Sequence, residues 1–149
     1  MPKHINGRVI EAGGLRIAGL GGVFRAAVWH PKDGSGEPRW RRRQEYLGAY
    51  PMERWRGDLP RQHRSSIWPE DLDALADIRA DVLVTHEAPS SHPYGFEILG
   101  TLAEAMGVQT IIHGHLHQAY EATLANGVRV VGLAKAGVYE WPDDRAAAA

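Results

Sequence analysis

The sequence predicts an α/β fold, and three features carry that prediction. Two short apolar segments rich in β-branched residues, 81–85 and 108–112, have the pattern of strands buried on both faces. A helical pattern of apolar residues precedes each of them, at 69–78 and at 96–106. A hairpin signal follows at 120–133. Strand and helix therefore alternate along the second half of the chain, which is typical of helices packed in layers against a sheet.

The predicted helices and the hairpin have recognisable ends. Pro69 suits the first position of a helix. Gly107 is placed to end the second helix, because glycine accepts the left-handed conformation that closes many helices. In the hairpin, Asn126-Gly127 is the turn between strands expected at 120–124 and 128–133.

The beginning of the chain predicts another hairpin. Apolar residues alternate with polar ones on both sides of Gly13-Gly14, and tight turns favour glycine because they require positive φ angles. We therefore expect strands at 8–12 and 15–20.

Segment 24–66 has no helical or strand period and carries a cluster of positive charge. It contains nine Arg and one Lys against five acidic residues, whereas the net charge of the whole chain is -1. Because a long structureless stretch is unusual inside a domain, we expect a functional loop or lid, with a short helix near 40–48. Arginine matches phosphate oxygens, so Arg41 and Arg43 are candidates for binding a small phosphorylated substrate or a nucleotide. The alternative is a solvated face anchored by its tryptophans, and the near-neutral overall charge does not favour nucleic acid.

Length and composition are those of one soluble domain. The chain has 149 residues, of which 44% are hydrophobic and 23% charged. It has no cysteine, which excludes disulfides and thiolate metal ligands. No apolar run is long enough to span a membrane, so we expect a cytoplasmic protein without a membrane partner. The alanine-rich segment 145–149 is expected to fray.

Four histidines lie where the two buried strands end. His86 follows the first strand, and His113, His115 and His117 follow the second. Ligands bind at this edge of open α/β sheets because strand ends and loops converge there. In an extended chain His115 and His117 would project to one side, with Cα atoms roughly 6–7 Å apart, and Gly114 would let the backbone pass close to the cluster. Such imidazoles suit Zn, Fe, Mn, Ni or Cu. The alternative is a set of ordinary hydrogen-bonded histidines.

Two other histidine-based hydrolase patterns fail. A metallo-β-lactamase-like site requires His-x-His-x-Asp-His, but His117 is followed by Gln118-Ala119-Tyr120. An amidohydrolase-like His-x-His belongs to the first strand of a barrel, whereas this one comes late in a short chain.

The pattern that fits resembles the calcineurin-like metallophosphoesterases. That family carries, in order, Asp-x-His, Gly-Asp, Gly-Asn-His-Asp/Glu, a lone His after a strand, and Gly-His-x-His. The last two match Val84-Thr85-His86-Glu87-Ala88-Pro89 and Gly114-His115-Leu116-His117, with a predicted helix and strand between them. Segment 15–22 is also similar to the strand that such enzymes place after the third motif. The resemblance covers about residues 7–24 and 67–140.

The resemblance implies a fold and a metal site. The fold would be a layered helix–sheet–sheet–helix arrangement, with 1–149 as a single partial domain from its C-terminal part and a loop insertion at about 24–66. Two divalent metal ions, Mn, Fe, Zn or Ni, would be bound, one by His86 and His115 and the other by His117. Hydroxide between two metals about 3.5–4 Å apart would attack the phosphorus of a phosphate monoester or diester.

Two further histidines take lesser roles in this interpretation. His113 lies outside the motif, so we expect it to support the ligands from behind or to lie on the surface. His92, in the loop after His86, is a candidate for contacting the substrate.

Three motifs of the family are absent from this sequence. The bridging aspartate, the asparagine ligand and the histidine that assists the leaving group are absent with them, and three imidazoles cannot hold two divalent cations firmly without a carboxylate. The chain alone is therefore expected to be inactive or weak as a phosphoesterase. The alternative is a non-catalytic, truncated or degenerate module that binds metal or phosphate and needs a partner chain.

Strands missing from the sheet would expose an apolar edge, so we expect a longer natural product, a homo-oligomer or a partner chain that covers it.

Overall fold

The computed structural model describes residues 5–135, 137 and 139–141. These residues form a six-stranded sheet and three α-helices. The strands are β1 (Val9–Ala12), β2 (Leu15–Leu20), β3 (Val82–Thr85), β4 (Thr110–His113), β5 (Tyr120–Thr123) and β6 (Arg129–Gly132). The helices are α1 (Arg43–Ala49), α2 (Pro69–Ala76) and α3 (Glu97–Met106), with two short 3-10 helices at Pro51–Glu53 and Arg61–Ser65. The predicted fraying of 145–149 lies outside the described residues.

The sheet is mixed, in the order β1-β2-β3-β4-β6-β5. Strands β2, β3, β4 and β6 run parallel to one another, and the hairpins β1-β2 and β5-β6 add an antiparallel strand at each edge. The predicted α/β fold is thus confirmed, and both predicted hairpins are present with their glycine turns. The carboxyl ends of the four parallel strands meet at one edge, where the candidate histidines follow β3 and β4.

Helices α2 and α3 contact each other and pack on one face of the sheet. Leu83 of β3 and Ile111 of β4 point into this layer and are fully buried, together with Leu75 of α2 and Leu99 of α3. Helix α3 ends as predicted, because Gly107 takes a left-handed conformation with φ 69°. The parallel strands are therefore held rigidly from this side, which fixes the loops at their ends.

Segment 24–66 was expected to form a loop or lid, but it packs into the hydrophobic core. Its predicted short helix is confirmed as α1, and its buried side chains are part of the main hydrophobic core. These are Phe24, Val28, Trp29, Tyr46, Leu47 and Leu59. Aromatic side chains have a large apolar area to bury, and this anchors a segment that has no regular sequence period.

The edges of the sheet do not have the predicted form. The sequence led us to expect a buried apolar strand at an open edge, but each of the four parallel strands lies between two neighbours. The edge strands are β1 and β5, and most of their side chains are exposed or only half-buried. The reason is local: each hairpin folds a short, mostly exposed strand onto the last parallel strand, so that no buried strand is left unpaired at an edge.

The apolar surface that remains open lies on a face of the sheet instead. Side chains alternate between faces, so Ile17, Val84 and Ile112 point away from the layer that contains Leu83 and Ile111. All three are only partly buried. We call Ile17, Val84 and Ile112 the open face. No described helix is both long and apolar enough to pass through a membrane.

Candidate functional site

His86 and His115 meet at the carboxyl ends of β3 and β4. Nε2 of His86 lies 2.6 Å from Nδ1 of His115, and the two rings are 4.4 Å apart at 71°. The strands that carry them are adjacent and parallel, with Thr85 paired to His113. The structure therefore brings together two of the three histidines expected to bind metal, with one ring nitrogen of each directed at the other.

The environment of His86 favours neutral imidazole. Burial lowers the pKa of His86 first, and the nearby imidazoles of His115 and His117 lower it further, while Glu87 partly opposes them. Neutral imidazole has a free lone pair and is the form that binds metal ions. His117 lies two residues after His115 in the same loop.

Glu87 is a buried carboxylate beside the pair, and the sequence analysis did not select it. Its side chain is 7% exposed. One oxygen, Oε2, accepts a hydrogen bond from the backbone N–H of Phe24 at 3.3 Å, and the other, Oε1, lies 3.8 Å from Nε2 of His115. Thr85 fixes the backbone there by donating to the carbonyl of Glu87 at 2.7 Å. The signal that could have found it is its position directly after His86 at the end of a buried strand.

The loop that carries His115 and His117 is not extended, contrary to the prediction. Both residues have positive φ, 68° and 55°, and the N–H of Leu116 donates to the carbonyl of Gly114 at 2.8 Å in a tight turn. Positive φ is uncommon for residues other than glycine and is costly. Gly114 was predicted to let the backbone pass close to the cluster. A Cβ atom at this position would meet nothing within 4 Å, so this close approach is absent and the prediction is wrong.

His113 is buried, at 2% exposed, and is not a surface residue. Its Nδ1 lies 3.0 Å from the carbonyl of Gly114, and its Nε2 lies 2.6 Å from the hydroxyl of Tyr120. Because the carbonyl can only accept, Nδ1 carries the proton and Nε2 accepts from Tyr120. Burial lowers the pKa of His113. The hydroxyl of Ser91 completes the chain, 2.9 Å from that of Tyr120.

His92 joins the two loops of the site. Its Nε2 lies 2.6 Å from Oε1 of Gln118, the residue after His117. His92, the predicted substrate contact, therefore lies on the loop after β3 and faces the loop after β4.

The two predicted substrate arginines make ion pairs with carboxylates. Arg43 binds Glu70 and Asp71 at the start of α2, with Nη1–O distances of 2.7 Å to each. Arg41 lies 3.7 Å from Glu37. Arg43 therefore anchors α1 to α2, and we assign it no substrate role.

The donor atoms of the described residues do not complete a metal site. In the part of the chain that the structure describes, no three His, Cys, Asp or Glu side chains are grouped so that they could hold one metal ion. His86 and His115 supply two convergent nitrogens, and Glu87 faces the far nitrogen of His115. A zinc or manganese site needs at least one more ligand, so we derive no reaction step through a metal here.

One relative resembles most of this chain. An uncharacterized protein of Haemophilus influenzae strain Rd is 43% identical to it over 119 residues. The match covers 79% of this chain and 51% of that protein, so the chain spans about half the length of this relative. No family model matches the chain, and no solved structure matches it.

Proposed function

We propose that this chain belongs to the calcineurin-like metallophosphoesterases and contributes half of the site of a metal-dependent phosphoesterase. The observation that supports this most is the contact of His86 with His115 at the carboxyl ends of adjacent parallel strands. Two histidines that follow such strands and meet at their ends would supply two ligands of a metal site. The substrate class is a phosphate monoester or diester, including small phosphorylated molecules and nucleotides.

The remaining ligands would come from further polypeptide. Carboxylates that bridge two divalent cations are missing from the described site, and a longer product or a partner chain would supply them. The Haemophilus relative is about twice as long as the region it shares with this chain, which leaves room in that protein for such a segment. In this proposal His117 binds the second metal, and His92 contacts the substrate.

The open face supports the same proposal at the level of the fold. In a helix–sheet–sheet–helix arrangement, one face of the sheet packs on helices and the other on a second sheet. Helices α2 and α3 cover the first face, and Ile17, Val84 and Ile112 are partly exposed on the other. A second sheet packed about 10 Å away would bury them.

A second candidate function follows from the incomplete donor set. The chain would then be a non-catalytic module that binds a single metal or a phosphate and acts through a partner. The observation that favours it is that fewer than three candidate ligand side chains meet at one point among the described residues.

Metal binding and phosphate-ester turnover separate the two functions. The chain and the full-length Haemophilus relative are each given Mn²⁺ and assayed with aryl phosphate mono- and diesters. We expect turnover by the relative and weak turnover by this chain, abolished by His86→Ala with His115→Ala. Metal bound without turnover by either protein would support the non-catalytic module, and neither metal nor turnover would overturn both.

A further inference from the structure

We propose that Arg25 and Ser65 form a subsite that binds a phosphoryl oxyanion. The assignment of that oxyanion to a substrate rests on the proposed function, whereas the anion site itself rests on the contacts of Arg25. Neither residue was selected from the sequence.

Arg25 is a half-buried cation whose only side-chain partners in the described part of the chain are hydroxyls. Nη1 donates to Oγ of Ser65 at 3.0 Å and to Oγ of Ser66 at 3.2 Å. Within residues 5–135, 137 and 139–141, its Nε and Nη2 have no acceptor, and no carboxylate lies within 4.0 Å. By contrast, the equally half-buried Arg43 binds two carboxylates. A partly buried charge without an opposite charge is costly, so Arg25 provides a place for an anion.

The hydroxyls around Arg25 accept from its guanidinium but bring no negative charge. Ser66 is buried, and its Oγ also lies 3.2 Å from Nδ1 of His63. Burial and then the charge of Arg25 lower the pKa of His63, so its neutral ring can accept the Ser66 proton. Ser65 is exposed, its Oγ accepts from Nη1 of Arg25, and its own O–H has no acceptor among the described residues. Guanidinium N–H groups together with a hydroxyl proton suit an oxyanion.

The backbone around Arg25 is held by hydrogen bonds on both sides. Arg25 follows Phe24, whose N–H binds the Glu87 carboxylate, and the carbonyl of Arg25 accepts from the N–H groups of Val28 and Trp29 at 2.9 Å and 2.7 Å. The planar guanidinium is therefore mounted on ordered backbone, and its fork geometry matches two phosphate oxygens.

Phosphate binding by metal-free protein tests this subsite without any catalysis. The EDTA-treated chain is dialysed against labelled inorganic phosphate, and arginine Nε–H signals are followed by NMR. We expect the Arg25 signal to shift and Arg25→Gln to weaken phosphate binding by about tenfold or more, since hydrogen bonds to charged groups are the strong ones. Arg25→Lys should recover part of the affinity, and Ser65→Ala should weaken it by about threefold.

Arg42→Gln is the matched control, because Arg42 is exposed in the same basic segment and its loss changes the net charge equally. Thermal melts show whether each variant folds. Phosphate affinity that is equal in Arg25→Gln and Arg42→Gln, or a wild-type chain that binds no phosphate, would overturn the subsite.

Turnover separates this inference from the proposed function. Phosphate binding that depends on Arg25, without turnover by this chain or the Haemophilus relative, would keep the subsite and remove the phosphoesterase. Turnover by this chain with an unchanged KM in Arg25→Gln would keep the phosphoesterase and overturn the assignment of the substrate's oxyanion to this subsite.

Discussion

The hydroxyl of Tyr120 joins two loops of the candidate site through side chains alone. It binds Nε2 of His113 on one side and Oγ of Ser91 on the other. The ring is held in place by Gly132, its partner on β6, where a Cβ atom would lie in the space of the Tyr120 ring. This phenol thus adds a second connection, besides the contact of His92 with Gln118, between the loop after β3 and the end of β4.

Tyr120→Phe should lower the free energy of unfolding by about 1–3 kcal/mol, because it leaves the buried Nε2 of His113 without a donor. Urea unfolding measures the change. Tyr94→Phe is the control, since Tyr94 is 73% exposed, and its stability should stay within about 0.5 kcal/mol of the wild type. Equal stability of the two variants would mean that the His113 contact contributes nothing.

Three histidines with lowered pKa values give the chain a defined response to pH. The pKa values of His63, His86 and His113 are lowered in the folded state, in each case first by burial. The unfolded chain binds these protons near pH 6.5. As the pH falls below about 6.5, the unfolded state therefore takes up more protons than the folded state, and stability is lost.

Urea unfolding of the metal-free chain at pH 7.5 and pH 5.5 should show this loss. His63→Gln should reduce the difference in unfolding free energy between the two pH values, because one of the three histidines with a lowered pKa is gone. His30→Gln removes a histidine that is not among these three and serves as the control. A chain more stable at pH 5.5 than at pH 7.5 would contradict the sign.

At the scale of elements, the loop after β3 is closed by a backbone contact rather than by its side chains. Phe96 N–H donates to the Ala88 carbonyl at 2.8 Å, and Gly95 passes so close to Pro89 that a Cβ atom on it would lie 1.7 Å from the Pro89 carbonyl oxygen. The loop between them carries Ser91 and His92.

Gly95→Ala should open this loop and break the contacts of Ser91 and His92. We expect a loss of about 2 kcal/mol or more of unfolding free energy, since backbone must move, and changed NMR signals for Gln118. Gly48→Ala is the control: Gly48 lies in α1 with nothing within 4 Å of the added carbon, so alanine should stabilise the chain by about 0.5–1 kcal/mol. A Gly95→Ala variant as stable as the wild type would show that the close contact is not required.

At the scale of the whole molecule, the open face is an apolar surface that the described residues cover only in part. Ile17, Val84 and Ile112 are partly exposed on one surface of a sheet whose other surface is fully packed. An exposed apolar surface of this kind favours association.

The isolated chain should therefore associate as its concentration rises, and Val84→Thr with Ile112→Thr should reduce this association. Sedimentation velocity measures it. The double variant should remain folded, because both side chains are already partly solvated. Ile111→Thr is the contrasting change, since it places a hydroxyl in the fully buried layer. It should lower the free energy of unfolding by about 2–4 kcal/mol. A monomeric wild type at all concentrations would contradict the expectation.

The sequence was sufficient for the local elements and insufficient for the contacts between distant ones. Strands β3 and β4 were placed because apolar β-branched runs are short and bounded, and α3 because Gly107 ends it. The pairing of β2 with β3 joins residues more than sixty positions apart and has no local signal.

The candidate site divides in the same way. His86 and His115 were identified because each follows a buried strand, and the strands are neighbours. Glu87 was missed because a glutamate in a loop is usually solvated, and only the fold buries it. The ion pairs of Arg43 with Glu70 and Asp71 bridge 27 and 28 positions, so composition alone suggested a substrate role for this arginine.

The left-handed backbone at His115 and His117 has a consequence for protein engineering. Each histidine holds a conformation that glycine or asparagine adopts more easily, at a standing cost of about 1–2 kcal/mol per residue. A library varied at positions 115 and 117 and selected for heat resistance alone should enrich glycine and asparagine there, as sequencing of the survivors would show. The most thermostable descendants of this chain would then be those that had lost its imidazole donors.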